Sequence, residues 1–268
     1  MTAIASDTRI YATVVELLDD VAKRYADREA LVVGATRLTY REYASCIAAF
    51  AEQLLVNNIR GERVAILLPN SAEICIATFA VHAAGAQVVP LNPLYTEREL
   101  EAILADAAPR LVIVERARAE ALQPLFTRLG VEYLALEVGA AETLAARDAN
   151  RPLPQPLPSP DDLAFVQYTG GTTGRSKGVM LTHRAVAVNI SQRESTLPLP
   201  IREHEAERIL CVMPLFHTYA LSMGLHLAAF CAGTLVVLPR YHPHEVLTAI
   251  ATERITVFPG SPTIYIGL

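Results

Sequence analysis

Apolar and polar positions along this chain follow two alternating periods, which predict its helices and strands. Thr39 is a candidate N-cap for a helix that runs to about Asn57. The apolar residues of that segment recur at the spacing of one helical face: Tyr43, Ile47, Phe50 and Leu54. Thr96 and Glu99 form a capping-box pattern ahead of a second helix, which we expect to end near Ala107.

Short apolar runs predict strands between the helices. Residues 64–68 are apolar throughout, as expected of a parallel strand buried on both faces. A strand at 111–114, a helix at 117–129 and a strand at 133–136 continue the alternation. This order predicts an α/β fold with a mainly parallel sheet and helices on both faces.

One helix–glycine–strand unit occurs twice. Residues 72–84 read as an apolar helix that Gly85 ends, followed by a strand at 87–90. Residues 221–232 read the same way, with Gly233 as the left-handed cap and a strand at 235–238. Such joints are common in α/β proteins, so coincidence is one explanation and two similarly built sheets are the other.

Residues 218–239 contain no Asp, Glu, Lys or Arg, and a charge-free stretch of that length can cross a bilayer. His226, Ser222 and several glycines and threonines interrupt it, however. We therefore interpret it as a buried helix and a central strand, with no transmembrane segment.

Composition narrows the class of protein. The chain has 268 residues, of which 52% are apolar and 19% charged, enough for a substantial core. The net charge of −5 without long single-sign blocks argues against nucleic-acid binding. The four cysteines are scattered and indicate neither zinc nor disulfides, and the N-terminus lacks a secretory pattern. We expect a reduced, cytoplasmic protein.

Residues 168–178 carry the strongest chemical signal. They read Tyr-Thr-Gly-Gly-Thr-Thr-Gly-Arg-Ser-Lys-Gly, after an apolar strand at 163–166 and before a helix start at Thr182. Glycines let a backbone approach an anion, hydroxyls add donors, and a lysine adds positive charge. The spacing fits neither the P-loop, which needs lysine directly after glycine, nor the dinucleotide fingerprint. The alternative is a flexible surface loop without a binding role.

This string resembles the signature loop of the AMP-forming acyl-CoA synthetases in the adenylate-forming superfamily, with Gly170 and Ser176 where serine and proline are commonest. Four further stretches resemble family segments in the same order: 38–42, 64–70, 89–93 and 213–217. The resemblance runs over essentially the whole chain, and the Gly-Gly pair is similar to the fatty-acyl-CoA ligase branch.

The resemblance implies ATP-dependent activation of a carboxylic acid to an acyl-adenylate, then transfer to CoA, with Mg²⁺ as cofactor. It places Thr169, Gly170, Gly171, Thr173 and Gly174 on the β- and γ-phosphates. It also places Lys177 on the leaving pyrophosphate as a catalytic residue, and Thr172 near Mg²⁺.

The resemblance likewise makes His217, in a Pro-x-Phe-His segment, a catalytic residue beside the acyl carboxylate, although a lone histidine in an apolar region is usually a core residue. No Asp or Glu follows His217 in this segment, which favours a plain carboxylic acid over an amino acid as the substrate.

Three residues after His217 either line an acyl pocket or pack in the core, and packing is favoured: Tyr219, Leu221 and Met223. His242 and His244 lack a third metal ligand nearby, and residues 202–208 read as a solvated charged loop.

Family members are about twice as long, and the motifs of their second half do not occur here. The resemblance therefore implies a partial N-terminal domain over 1–268, with two similar, mainly parallel sheets flanked by helices. It implies subdomain-like regions at 58–195 and at 1–57 plus 205–268. It implies no C-terminal domain, no activity of the fragment alone and possible self-association through exposed apolar surface. The alternatives are an inactive paralogue that acts as an interaction module, or an aryl-acid or luciferase-like adenylating enzyme.

Overall fold

The computed structural model describes residues 10–139, 150–169, 176–196 and 206–268, with the backbone alone at 194–196. Within these ranges the strands are β1 Glu29–Val33, β2 Thr36–Thr39, β3 Arg63–Leu67, β4 Gln87–Pro90, β5 Leu111–Glu115, β6 Glu132–Leu136, β7 Leu163–Thr169, β8 Lys177–Thr182, β9 Arg208–Cys211 and β10 Thr234–Val237.

The helices in the same ranges are α1 Val14–Arg24, α2 Tyr40–Leu55, α3 Ala72–Ala83, α4 Glu97–Ala107, α5 Arg116–Leu129, α6 His183–Thr196, α7 at 218–230, α8 Pro243–Thr252 and α9 Pro262–Ile266. Helix α7 is composite. Its first turn is α-helical (Thr218–Ala220), its middle is π-helical (Leu221–His226) and its last turn is α-helical again (Leu227–Phe230).

The strands form two sheets. The six-stranded sheet has the order β6-β5-β3-β4-β7-β8, and only the β7–β8 pair at its edge is antiparallel. The four-stranded sheet has the order β2-β1-β10-β9, with β2 antiparallel to β1 and the other pairs parallel. The prediction of two mainly parallel sheets flanked by helices is thus confirmed.

Helix α3 lies at the centre of the core. All twelve of its residues are buried, and it contacts α1 and α2 as well as strands of both sheets. A helix that is apolar all round belongs in an interior, which the low polarity of this segment predicted.

Several predicted elements agree closely with the structure. Thr39 and Thr96 each close a capping box, with Glu42 and Glu99 respectively. Gly85 has the left-handed φ of +74° that ends the α3 unit. Helix α8 begins at Pro243 and ends at Thr252, as expected.

The second helix–glycine–strand unit differs from its prediction. The left-handed residue after α7 is Ala232, with φ +47°, and not Gly233. Gly233 is required for another reason, because a Cβ there would lie 2.5 Å from the backbone oxygen of Glu207. The π-helical turn was not anticipated, since it leaves no distinct sequence period.

Two other expectations were wrong in part. Residue 208 is not in a solvated loop: Arg208 lies in β9, donates to Glu29 at 2.7 Å, and also contacts the carboxylate and backbone oxygen of Glu253. Glu207 beside it is buried.

The glycine-rich segment does not lead straight into a helix either, because β8 stands between it and α6. Thr182 still caps that helix by accepting from Ala185 N at 3.2 Å.

Among the described residues, no helix is long and apolar enough to cross a membrane. The four cysteines are free thiols, all buried.

Candidate functional site

Strand β7 carries the residue that precedes the glycine-rich segment, and β8 begins just after that segment. Thr169 pairs with Lys177 across this antiparallel hairpin, and both are exposed. Gly178 must remain small here, because a Cβ would lie 2.9 Å from Val166 Cγ1 and 3.1 Å from the Tyr168 ring. The structure therefore brings two of the predicted phosphate ligands together. Gly170, Gly171, Thr172, Thr173 and Gly174 lie outside the described residues.

A cavity of about 490 Å³, with polar and apolar groups in its wall, borders the flanks of that segment. Its lining residues come from α4, from the loop before it and from the hairpin: Tyr95, Arg98, Glu99, Ala102, Ile103, Asp106, Tyr168 and Ser176. The Tyr168 hydroxyl donates to Asp106 Oδ2 at 2.6 Å, and burial together with this bond raises its pKa. Tyr168 is thus a fixed neutral donor beside the segment.

His217 is exposed and forms the N-cap of α7, where its Nδ1 accepts from Tyr219 N at 3.2 Å. The preceding residue is bound to β7, because Gln167 Nε2 donates to Phe216 O at 3.2 Å. By the two-residue period of a strand, Gln167 and Thr169 face the same side of β7. The predicted catalytic histidine is therefore held near the strand that leads into the glycine-rich segment.

Asn70, in the turn after β3, holds the backbone of the segment that precedes His217. Its side chain donates to Met213 O at 3.0 Å and to Leu238 O at 3.3 Å, and it accepts from Leu215 N at 2.8 Å. One buried amide thus connects the end of a six-stranded-sheet strand to the segments that follow β9 and β10.

A second cavity, of about 270 Å³ and mostly apolar, lies between β7, β8, α6 and α7. We call it the α6–α7 cavity and define it by its lining residues: Phe165, Gln167, Leu181, Ala185, Val186, Asn189, Thr218, Leu221, Ser222 and His226. Thr218 directly follows His217, so the cavity begins next to the predicted catalytic histidine.

Three residues were predicted either to line an acyl pocket or to pack in the core. Leu221 does both, because it is buried and also lines the α6–α7 cavity. Tyr219 is 37% exposed, and Met223 packs partly buried against the core. The sequence did not predict the polar residues in the wall of the α6–α7 cavity. Gln167 carried a usable signal, since it is a polar residue within an otherwise apolar strand.

Three buried histidines form a cluster at the wall of this cavity, and two of them, His82 and His226, pack against Phe165. The His82 ring lies 4.7 Å from the Phe165 ring and 5.0 Å from the His183 ring, and the His226 ring lies 5.9 Å from Phe165. Burial lowers the pKa of His183 to about 4, against the opposing charge of Asp162. Burial and the charge of Arg193 lower the pKa of His226 to about 3. These rings are neutral at pH 7.

Among the described residues, no group of three or more histidine, cysteine, aspartate or glutamate side chains is placed to hold a metal ion. His242 and His244 are both exposed. Thr172, the predicted metal-binding residue, lies outside the described ranges.

These features define an α/β domain with an apolar cavity beside a glycine-rich hairpin. The chain belongs to the AMP-binding enzyme family, whose model matches residues 18–268.

It is similar to the long-chain-fatty-acid–CoA ligase of Bacillus subtilis, at 32% identity over 96% of this chain and 51% of the relative. It is similar to feruloyl-CoA synthase of an Amycolatopsis species, at 37% identity over 87% of this chain and 45% of the relative. The chain thus spans about half the length of the curated relatives it matches.

Its structure is similar to the inhibitor-bound N-terminal domain of FACL13 from Mycobacterium tuberculosis. The TM-score is 0.83 at 28% identity, over 94% of this chain and 63% of that one. The predicted resemblance to the acyl-CoA synthetases is therefore confirmed, and the chain corresponds to the N-terminal part of such enzymes.

Proposed function

We propose that the protein activates a carboxylic acid with ATP and transfers the acyl group to CoA, and that this chain holds the phosphates and the acyl group. The observation that carries the proposal is the position of the α6–α7 cavity. Its wall includes Gln167, two residues before Thr169 on β7, and Thr218, the residue after His217. An acid in this cavity would present its carboxylate between His217 and the glycine-rich segment.

In the proposed first step, a carboxylate oxygen attacks the α-phosphorus of ATP, and the bond to the pyrophosphate oxygen breaks. Negative charge grows on the leaving group, so fixed donors and cations are the main catalytic means. Lys177 is the cation that neutralises pyrophosphate, and it forms no ion pair with another described residue. The backbone of Gly170, Gly171 and Gly174, together with Thr169 and Thr173, holds the β- and γ-phosphates.

Mg²⁺, held near Thr172, would supply further charge neutralisation on the triphosphate. His217 positions the acyl carboxylate from the other side of the cavity mouth. Its exposure leaves the imidazole accessible to a substrate.

We propose a fatty acid as the substrate. The cavity wall is mostly apolar, and its volume matches on the order of nine water-sized groups, which suits a chain of medium length. The relatives carry names of both long-chain-fatty-acid and feruloyl ligases, so an aryl acid is the second candidate. An inactive paralogue that works as an interaction module is the alternative of another class.

We also propose the two subdomain-like regions at 58–195 and at 1–57 plus 205–268. Strand membership supports this division, because β3 to β8 form one sheet while β1, β2, β9 and β10 form the other.

The test is acid-dependent ATP–pyrophosphate exchange, measured with this chain and with the product of its complete reading frame, across aliphatic and aromatic acids. Lys177→Ala should lower the exchange rate by about 10²- to 10³-fold, the effect typical of losing one group that stabilises developing charge. The chain has one other lysine, Lys23, which is paired with Asp19 on α1.

Lys23→Ala is therefore the matched control and should leave exchange unchanged. An unaltered rate in Lys177→Ala would remove the assigned role of that lysine. If no acid supports exchange in the complete protein, acid activation is wrong and the interaction module is favoured.

A further inference from the structure

The α6–α7 cavity has an outer and an inner end, which the paired strands β7 and β8 define. Thr169, Gln167 and Phe165 share one face of β7, and they become more buried in that order: the first is exposed, the second 9% exposed and the third 2% exposed. Their partners on β8 follow the same order, from the exposed Lys177 to the partly buried Leu181. The outer end therefore lies where the two strands flank the glycine-rich segment. The inner end lies at the pair of Phe165 and Leu181, which both line the cavity.

Helix α7 runs along the cavity in the same direction. Its start is bound near the outer end, because Gln167 Nε2 donates to Phe216 O at 3.2 Å. Its His226 ring lies 5.9 Å from the Phe165 ring, at the inner end. The wall residues of α7 also become more buried inwards, since Thr218 is exposed and His226 is buried. Strand and helix thus agree on which end of the cavity is closed.

The Phe165 ring forms the inner end and is held in place from behind. The His82 ring packs edge-on against it with the centroids 4.7 Å apart, and the His226 ring packs on it as well. His183 packs against His82 in turn, at 5.0 Å. All four side chains are buried, and edge-on contacts of this kind favour one ring orientation. A molecule that reaches Phe165 therefore meets close-packed rings and no free space.

The length of the cavity along β7 limits what fits in it. Phe165 lies four positions before Thr169, which corresponds to about 13 Å of strand. An extended alkyl chain advances by a little less than its C–C bond length for each carbon, so this distance accommodates roughly ten carbons. The cavity volume of about 270 Å³ corresponds to a similar number of water-sized groups.

We infer that Phe165 is a specificity-determining residue that limits the acyl chain of the substrate to roughly ten carbons. This inference rests on the proposed acid activation and narrows the fatty acid to one of short or medium length, with its carboxylate at the outer end beside His217. A longer chain would have to displace the Phe165 ring from its neighbours or leave its last carbons in water.

The experiment measures ATP–pyrophosphate exchange by the complete protein with hexanoic, decanoic and tetradecanoic acid and with aromatic acids. The quantities compared are ratios of kcat/KM between two acids, and a ratio within one variant does not depend on how much of the protein is folded. Phe165→Ala removes the ring, Phe165→Leu is a smaller change of the same kind, and Leu181→Phe adds a ring at the same end of the cavity. Phe126→Ala is the matched control, because Phe126 is a buried ring on α5 in the core on the other face of the sheet.

We expect the wild type to use tetradecanoic acid less efficiently than decanoic acid by about tenfold or more. Phe165→Ala should raise the ratio of tetradecanoic to decanoic acid by about tenfold or more, because each further methylene that becomes buried contributes about fourfold. Phe165→Leu should move this ratio in the same direction by less. Leu181→Phe should lower the ratio of decanoic to hexanoic acid, and Phe126→Ala should change neither ratio.

Equal use of decanoic and tetradecanoic acid by the wild type would overturn the limit assigned to Phe165 while leaving acid activation intact. Ratios that stay unchanged in both Phe165 variants, or that change as much in Phe126→Ala, would do the same. Exchange with aromatic acids alone would also overturn this inference but not acid activation. If no aliphatic or aromatic acid supports exchange, acid activation itself fails and this inference fails with it.

Discussion

Burial divides the described histidines of this chain into two chemical groups. His217 is exposed at the N-cap of α7, where its ring is free to meet a substrate. His82, His183 and His226 are buried, and burial lowers the pKa of each of them. The buried histidines couple stability to pH, while the exposed His217 is the one that we propose meets the acid.

That coupling gives a prediction for His183. In the unfolded chain its pKa is near 6.5, and in the folded protein it is about 4, so between these values the unfolded state binds more protons. The free energy of unfolding must therefore fall as the pH is lowered from 6.5 towards 4. His183→Gln should reduce that loss by on the order of 2–3 kcal/mol, measured by urea unfolding at pH 7 and pH 4.5.

His244→Gln, a change at an exposed histidine, is the control and should leave the pH dependence as in the wild type. Glu253, whose pKa is lowered mainly by its hydrogen bond from Arg37, loses its contribution as the pH falls from about 4.5, and it does so equally in the variant and the wild type. An identical pH slope in His183→Gln and the wild type would contradict the assignment.

At the scale of elements, the sequence predicted most helices, because a helix cap is a contact between residues only three positions apart. Thr96 accepts from Glu99 N at 3.4 Å, and the Glu99 carboxylate accepts from Thr96 N at 2.8 Å, so α4 begins where the sequence indicated. Strand β8 was not predicted, because its apolar run is only three residues long, Val179 to Leu181, and half of the strand is exposed. What makes it a strand is its pairing with β7, a contact across the hairpin that no local period reveals.

The Thr96 cap contributes measurably to the free energy of unfolding. Thr96→Ala should lower the free energy of unfolding by about 1 kcal/mol, since Glu99 N loses its acceptor and the Glu99 carboxylate loses the hydroxyl donor. For a domain of this size that corresponds to a drop in Tm of roughly 2–4 °C. Thr96→Ser keeps the hydroxyl and should lie within a few tenths of a kcal/mol of the wild type, and equal losses in both variants would show that the methyl group matters instead.

At the scale of the whole molecule, the position of the site depends on contacts between the two sheets. The sequence predicted the glycine-rich segment and His217 as separate motifs and related them only through a family resemblance. The links themselves are Gln167 to Phe216 O and Asn70 to three backbone groups, with sequence separations of 49 and more than 140 residues. Polar side chains give little local sign of such distant partners. The sequence therefore offered Tyr219, Leu221 and Met223 as candidates for an acyl pocket but did not predict the cavity walls that β7, β8 and α6 supply.

Asn70 offers a test of this long-range organisation. Asn70→Ala removes the partner of three backbone groups and should lower the free energy of unfolding by about 2–4 kcal/mol, measured by chemical denaturation. Asn57→Ala is the control, because the Asn57 side chain makes a single 3.4 Å bond to its own helix and should cost less than 1 kcal/mol. Similar losses in the two variants would mean that Asn70 does not tie the sheets together.

The π-helical turn at Leu221–His226 has a consequence for how this family member can change. Such a turn accommodates one residue more than the α-helix around it, so removing a single residue there would return the helix to regular geometry. Every side chain on one side of the deletion would then rotate by about 100° relative to the other side. A one-codon loss would thus exchange the groups that face an incoming molecule all at once, a larger step in selectivity than any single replacement could make.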